Sequence, residues 1–270
     1  MTIVKNQEKF FDLNFRYQKS HKKGGFSDFY SEEIARDGFM WLKKEKKILD
    51  YGCGDGASID LYLDATNNFK SKIIGIDISE EGIKQIKIKY PKYKFYKISD
   101  NLIPQIPDGS LEAVYLSHIL HHAENHRDIF NEINKKLKKG GKLFICDLTA
   151  NNLFINIARM IFSIAPMSIR NKFSNDLVVD GDIPHKHHVD IDKTIAKLKK
   201  SGFDIVGINH KHLFLFIFFW INTIFKIDEN KSPLYLYFLK KVYRIESLLL
   251  KYNFFKKKAH MFSIKCLKNK

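Results

Sequence analysis

The residues Asp50-Tyr51-Gly52-Cys53-Gly54-Asp55-Gly56 follow a short apolar run and precede a helix-forming stretch. Glycines at alternate positions let the backbone turn sharply and let a ligand approach the peptide groups with no Cβ in the way. Such a loop suits a nucleotide or a nucleotide analogue. Taken alone it fits a dinucleotide, an adenosyl sulfonium ligand or a bare tight turn. Asp77 closes the next apolar run, 21 residues after Gly56, where a carboxylate can accept both hydroxyls of a ribose.

Further groups stand at regular intervals. Ser99-Asp100-Asn101 follows the third apolar run, and Pro107-Asp108-Gly109-Ser110-Leu111-Glu112 leads into the fourth. That run ends in Ser117-His118-Ile119-Leu120-His121-His122, and Leu137-Lys138-Lys139-Gly140-Gly141 opens the fifth. An imidazole, with its ordinary pKa of ~6.5, suits removal of a proton from a hydroxyl. His122 is the first choice for that task and His118 the second; the competing reading has His122 capping local backbone at the turn. Asp147 and His188 are candidates for contact with the acceptor of the reaction, whereas His185 reads as part of a solvated loop. His185, His187 and His188 together with His118 or Asp147 have the ligand types of a metal site. No spacing matches a metal-binding helix, so the simpler expectation is a site with no metal. Cys53 reads as a bystander rather than a nucleophile.

These groups need elements to position them. From Lys46 to about Leu148, apolar runs alternate with amphipathic stretches, which predicts a parallel sheet flanked by helices. Strands are expected at Ile48–Tyr51, Lys72–Asp77, Lys94–Ile98, Leu111–Ser117 and Lys142–Leu148. Ser79 caps a helix that carries Glu80 and Glu81 in its first turn and stops at Pro91. Ile129, Ile133 and Leu137 recur along one helix face, with Gly140 expected as its stop. One helix is expected over residues 28–43, after a polar segment containing Gly24 and Gly25. An apolar helix is expected over Leu153–Ile169, and a helix with Ile191, Ile195 and Leu198 on one side ends at Gly202. Phe203–Ile208 and His260–Cys266 read as two more strands.

In its order of motifs, LDYGCGDG, GIDIS, SDN, PDGSLEAV, LHH and LKKGG, the chain resembles the class I S-adenosylmethionine-dependent methyltransferases of the small-molecule type. The resemblance is close over residues 45–150 and looser over the last two strands. It implies a Rossmann-like, doubly wound α/β fold with a seven-stranded sheet, six strands parallel and the last antiparallel. It implies S-adenosyl-L-methionine as cofactor and S-adenosyl-L-homocysteine as product. Asp50 and the backbone of Gly52, Cys53 and Gly54 would then face the methionine part, Asp77 the ribose, Asp100 and Asn101 the adenine, and Ser117 the sulfonium neighbourhood, with Gly56 and Ile78 also among the cofactor-binding residues. The expected division is an N-terminal helical segment (1–44), a cofactor-binding core (45–150), a cap (151–202) and the last two strands with an insertion (203–270).

The 46 Lys and Arg against 30 Asp and Glu give a net charge of +16 over 270 residues. That field attracts phosphates, anionic lipid or an acidic substrate; a lysine-rich coding bias gives the same count with no function attached. A hydrophobic content of 44% with 28% charged residues describes a folding chain rather than a disordered one. Three cysteines without a CxxC pair fit a reducing, cytoplasmic compartment, and the first residues lack the pattern of a signal peptide.

The stretch between the last two strands is the unusual part. Eleven of the thirteen residues Leu213–Phe225 are apolar, too few for a bilayer span of about 20. They suit a buried helix or one lying in an interface with Lys211, Lys226 and Lys231 nearby. Ser232-Pro233 is a helix start. Leu234, Phe238, Val242, Ile245 and Leu249 then form one stripe, with Lys240, Lys241, Arg244 and Lys251 around it and Lys256, Lys257 and Lys258 beyond. This pattern fits peripheral attachment to an anionic membrane; mutual packing as a lid or dimer interface is the alternative.

The leading expectation is methyl transfer to a small or lipid-linked acceptor, at oxygen, with no nucleic-acid partner. An RNA methyltransferase is the rival suggested by charge, although no separate RNA-binding module is visible. A nicotinamide oxidoreductase would share the first loop, with Ala57 completing its pattern, but would not need the later motifs. A non-catalytic binding protein of the same fold would not need intact loop glycines and Asp77.

Overall fold

A computed structural model describes residues 26–99, 102–149, 189–225 and 227–269. Helix α1 (Phe26–Leu42) leads into β1 (Lys47–Tyr51), followed by α2 (Ala57–Thr66), β2 (Lys72–Asp77), α3 (Glu80–Lys89) and β3 (Lys94–Lys97). The chain then returns through β4 (Leu111–Ser117), a single 3-10 turn (Leu120–His122), α4 (His126–Lys136) and β5 (Leu137–Leu148). After α5 (Ile191–Lys200) and β6 (Phe203–Lys211) come α6 (Phe216–Phe225), α7 (Pro233–Leu249), the short α8 (Asn253–Lys256) and β7 (Met261–Lys268).

The seven strands lie in the order β3-β2-β1-β4-β5-β7-β6. Neighbours from β3 to β5 are parallel, and β7 runs antiparallel to both β5 and β6. Strand order reverses between β1 and β4, so the crevice at their carboxyl ends is where an open α/β sheet binds ligands. The expected seven-stranded sheet with its last strand antiparallel is thus present.

Strand residues alternate between two apolar layers, as a two-residue period requires. Ile48, Ile73, Ala113, Tyr115 and Phe144 pack with α1, α2 and α3, through residues such as Phe39, Tyr62 and Ile83. Leu49, Ile74, Val114, Leu116 and Ile145 pack on the other face with Ile129, Phe130 and Ile133 of α4 and Leu198 of α5. Burial of both faces explains why the central strands carry few charges.

Local signals act where expected at several ends. Ser79 Oγ accepts from Gly82 N at the start of α3, and Ser232 Oγ accepts from Tyr235 N with Pro233 in the first turn of α7. Two expectations are corrected. Helix α4 ends at Lys136, and Leu137 already pairs with Leu111 in the β4–β5 ladder. Gly140, with φ of 69°, therefore sits inside an irregular part of β5 rather than behind a helix. Leu137 remains fully buried either way, so its apolar character does not distinguish the two conformations. The expected α7 stripe is divided: Leu239 faces the core with Val242 beside it, while Leu234, Phe238 and Ile245 are exposed. The expected helix over Leu153–Ile169 and the segment with Gly24 and Gly25 lie outside the described residues.

Among the described residues no helix is long and apolar enough to cross a membrane. Helix α6 instead packs against α1 and α7, through Leu215, Phe216, Tyr30 and Leu239. Glu246 fastens this assembly: its carboxylate accepts from the Tyr30 hydroxyl and from the backbone N–H groups of Phe214 and Leu215, each at 2.8 Å.

Candidate active site

The glycine loop leaves β1 and turns immediately beneath the end of β2. Gly52 N and Cys53 N both donate to Ile76 O, at 2.8 and 3.0 Å. Gly52, Gly54 and Gly56 all have positive φ, between 47° and 86°, which other residues rarely adopt. At Gly52 a Cβ would also fall 2.0 Å from Ile119 Cδ1, so the turn after β4 closes against the loop only because that side chain is absent. Gly56 precedes α2, whose N-terminal peptide groups are partly satisfied by Asp55, Oδ1 accepting from Ala57 N at 3.0 Å.

Asp77 joins the loop to the second strand. One carboxylate oxygen accepts from Gly54 N and the other from Ser79 N, both at 2.8 Å. The half-buried carboxylate is thereby fixed at the carboxyl end of β2. Ile78 follows it and packs in part against the core.

Asp50 lies under the loop, 1% exposed, and its Oδ2 has no hydrogen-bond partner among the described residues. Burial pushes its carboxyl up to about 8; the neighbouring Tyr115 hydroxyl offsets only part of that rise, and Asp77 and Asp55 add to it. The cradle of a chain with net charge +16 is therefore locally acidic. The carboxylates of Asp77 and Asp55, with the buried, unpaired Oδ2 of Asp50, suit a ligand carrying positive charge, such as an adenosyl sulfonium with its ammonium group. They oppose the pyrophosphate of a dinucleotide, which requires the opposite sign at this helix start. Cys53 is buried, and burial pushes its thiol well above the ordinary range, away from nucleophilic use.

The other side of the crevice is built by the ends of β4 and β5. Their parallel register places Ser117 beside Cys146, whose Sγ lies 3.3 Å from Ser117 Oγ. His118 follows with φ of 58°, a strained value for a residue with a side chain, while its N–H donates to Cys146 O at 3.0 Å. The 3-10 turn then carries His121 and His122, with ring centroids 3.9 Å apart. His126 anchors that turn through Nε2, 2.8 Å from Leu120 O.

Asp147, fully buried at the end of β5, is the hub of this region. Its Oδ2 accepts from Leu120 N at 2.7 Å; Oδ1 accepts from Leu148 N at 2.7 Å and lies 2.5 Å from His121 Nδ1. Burial raises the carboxyl pKa, but the His121 hydrogen bond and the charges of His121 and His118 more than offset it, leaving the group below its ordinary value. An ionised Asp147 accepts the Nδ1 proton, which leaves His121 Nε2 as the basic nitrogen. His118, His121 and Asp147 also bring one ligand atom each within 4.8 Å of one another. Two ligands about 2.1 Å from one ion would stay roughly 3 Å or more apart, so the closer His121–Asp147 spacing suits a shared proton better than a shared ion.

Sequence reasoning placed His118, His122 and Asp147 in this neighbourhood but did not single out His121. The missing signal was topological: residues at the carboxyl ends of two adjacent parallel strands must meet. His212, at the end of β6, was also passed over. It is 3% exposed, stacks on Tyr30 with ring centroids 3.9 Å apart, and burial pulls its imidazole down to about 3. Asp100, Asn101, His185, His187 and His188 lie outside the described residues.

Residues 49–145 match the model of a family described as a methyltransferase domain. A protein of Haemophilus influenzae is 29% identical over 107 residues, which span 37% of this chain and 41% of that one. The ubiquinone/menaquinone biosynthesis C-methyltransferase UbiE of Campylobacter jejuni is 24% identical over 181 residues, 62% of this chain and 74% of the relative. Among solved structures, the phosphoethanolamine N-methyltransferase 2 of Haemonchus contortus, in complex with S-adenosyl-L-methionine, superposes with a TM-score of 0.56. It is 15% identical, over 97% of this chain and 56% of that one, and so speaks for the fold. With the acidic glycine loop and the carboxylate after β2, residues 49–145 belong to the class I S-adenosylmethionine-dependent methyltransferases, whose cofactor is S-adenosyl-L-methionine.

Proposed function

We propose that the chain transfers the methyl group of S-adenosyl-L-methionine to a hydroxyl oxygen of a small or lipid-linked acceptor, at a membrane surface. The observation that carries the reading is the pairing of an acidic glycine cradle on β1 and β2 with the Asp147-bound His121 at the neighbouring strand ends. The cofactor supplies a methyl group already activated by sulfonium charge.

The chain's own work is binding, alignment and proton removal. Asp50 and the backbone of Gly52, Cys53, Gly54 and Gly56 hold the methionine part, Asp77 and Ile78 the ribose, Asp100 and Asn101 the adenine, and Ser117 borders the sulfur. His121 takes the acceptor hydroxyl proton at Nε2 as the oxygen forms its bond to carbon and the carbon–sulfur bond breaks; Asp147 holds the imidazole in position and stabilises its charged form. His118, His122 and His188 contact the acceptor. Alignment of this kind lowers a barrier by about 7–11 kcal/mol when the reacting groups are held in line.

UbiE and the phosphoethanolamine enzyme are named for transfer to carbon and to nitrogen, so the reacting atom rests on the histidine geometry rather than on likeness. A lipophilic or phosphate-bearing acceptor is consistent with those names and with the apolar, basic insertion. Calorimetry with S-adenosyl-L-homocysteine and NAD in parallel tests the cofactor: the first binds and the second does not. Binding of NAD alone overturns the reading. Methyl transfer to a hydroxyl-bearing acceptor, abolished by its deoxy analogue, tests the reacting atom.

A further inference from the structure

Helix α7 buries one apolar face and leaves another uncovered. Leu234 is 79% exposed, and Tyr237, Phe238, Ile245 and Leu248 are exposed beside it, with Tyr252 and Phe254 continuing the patch onto α8. Where the inner face of α7 meets the first turns of α1, a cleft of about 490 Å³ opens, walled by Phe26, Phe29, Leu236 and Tyr243 and flanked by Lys240 and Arg244.

Along α7 and α8 themselves the accessible charge has one sign, although Asp228 and Glu229 precede α7 and Glu33 of α1 bonds Tyr243. Residues 231–258 contain eight Lys and Arg and a single carboxylate, Glu246, which is 1% exposed and held by Tyr30, Phe214 and Leu215. Every accessible ionisable charge on the segment is therefore positive. Neither Lys240 nor Arg244 is engaged in an ion pair among the described residues. An exposed aromatic and aliphatic stripe, rimmed by cations on long apolar stems, matches the boundary between lipid headgroups and acyl chains.

The cleft adjoins residues that reach the carboxyl end of β6. Phe26 and Phe29 pack edge-on against Tyr243, and Tyr30 in the next positions of α1 stacks on His212 at the end of β6. The His118 imidazole is near enough to contribute electrostatically at His212. A chain of ring contacts thus links the cleft wall to His212 at the carboxyl edge of the sheet.

We infer that α7 and α8 dock on an anionic lipid bilayer, with a lipid phosphate seated between Lys240 and Arg244 in the cleft against α1. This rests on the reading of a lipid-linked acceptor and extends it: the docked face presents the crevice to substrates held in the membrane. The stripe inserts among the headgroups, Lys241, Lys251, Lys256 and Lys257 contact the surface around it, and the cleft supplies the discrete phosphate contact.

Co-flotation of the full chain tests this with vesicles of phosphatidylcholine containing about 30% phosphatidylglycerol, set against vesicles of phosphatidylcholine alone. The expected result is binding to the anionic vesicles only. Substitution K240Q/R244Q then weakens it about tenfold or more, and L234S/F238S weakens it while leaving the charge unchanged. K70Q/K72Q, which removes the same charge at the opposite end of the sheet, leaves binding within about twofold of wild type. Equal binding to neutral vesicles, equal loss in the two charge variants, or no binding at all overturns the proposal. So does an oligomer on size exclusion that the α7 substitutions dissociate, since a second copy would then cover the face. Calorimetry with S-adenosyl-L-homocysteine on the same variants separates the two readings: retained affinity without vesicle binding ends the docking proposal and leaves methyl transfer standing.

Discussion

His121 Nδ1 lies 2.5 Å from Asp147 Oδ1, joining the turn after β4 to the end of β5 across a parallel pair of strands. The same carboxylate accepts the N–H of Leu120, so the residue that orients the imidazole also fixes the backbone that carries it. A base and its orienting group are built as one unit at the carboxyl edge of the sheet.

Substitution H121A is expected to lower kcat by about 100-fold or more, within the range for loss of a general base. D147N retains an oxygen for one backbone N–H but no longer stabilises the charged imidazole, and it is expected to lower kcat and kcat/KM together. Calorimetric affinity for S-adenosyl-L-homocysteine stays within about twofold in both. A loss of cofactor affinity equal to the loss of rate would instead assign the pair a structural role.

Asp77 has two tasks, since its oxygens hold Gly54 N and Ser79 N as well as facing the cofactor side. D77A is expected to weaken S-adenosyl-L-homocysteine binding by roughly 1.5–3 kcal/mol, the range for hydrogen bonds to a charged group. G52V is expected to abolish it, because its Cβ would meet Ile119 at 2.0 Å and the backbone φ is 79°. Unchanged affinity in both would mean that the cofactor binds elsewhere.

The buried Asp50 makes stability depend on pH in a set direction. Its carboxyl is favoured as the neutral form up to about pH 8 in the folded chain but only up to ~4 in the unfolded one. Its contribution is fully present below about pH 4 and is lost as pH rises through about 8. D50N removes that dependence, so thermal melts of the cofactor-free chain should show the difference between D50N and wild type growing in favour of D50N from pH 4 to pH 8. A constant difference would mean that the Asp50 carboxyl titrates alike in the folded and unfolded chain.

Glu246 is a stability determinant far from the chemistry. E246A removes the acceptor shared by the Tyr30 hydroxyl and the N–H groups of Phe214 and Leu215, and is expected to cost on the order of 3 kcal/mol in denaturant unfolding. E246Q retains an acceptor oxygen and should cost less. An E246A variant as stable as wild type would show that α6 and α7 hold to α1 without this carboxylate.

Much of the core was legible because it rests on local rules. The β2 and β4 limits follow from apolar runs bounded by turn residues, the start of α3 from Ser79 capping, and the start of α7 from Ser232-Pro233. Leu137 was misread as helical because a buried leucine satisfies a helix face and a strand equally; its pairing with Leu111 decides between them. The α7 stripe was misread in part for a related reason. A helix apolar on two sides does not say which side meets the protein, and Tyr30, Leu215 and Phe216 select the face that carries Leu239.

The sequence alone determined the alternating α/β core, the glycine turn after the first strand and the carboxylate after the second, because each depends on neighbours within a few residues. Tertiary structure alone decided that Asp147 takes His121 as its partner, that Glu246 closes on Tyr30, and that Leu234, Phe238 and Ile245 stay outside. Those outcomes depend on strand order and on which helix faces meet, across separations of 26 and 216 residues for the two pairs. Contacts of that kind are fixed by how the layers close over one another, and no local pattern of residue types carries that information.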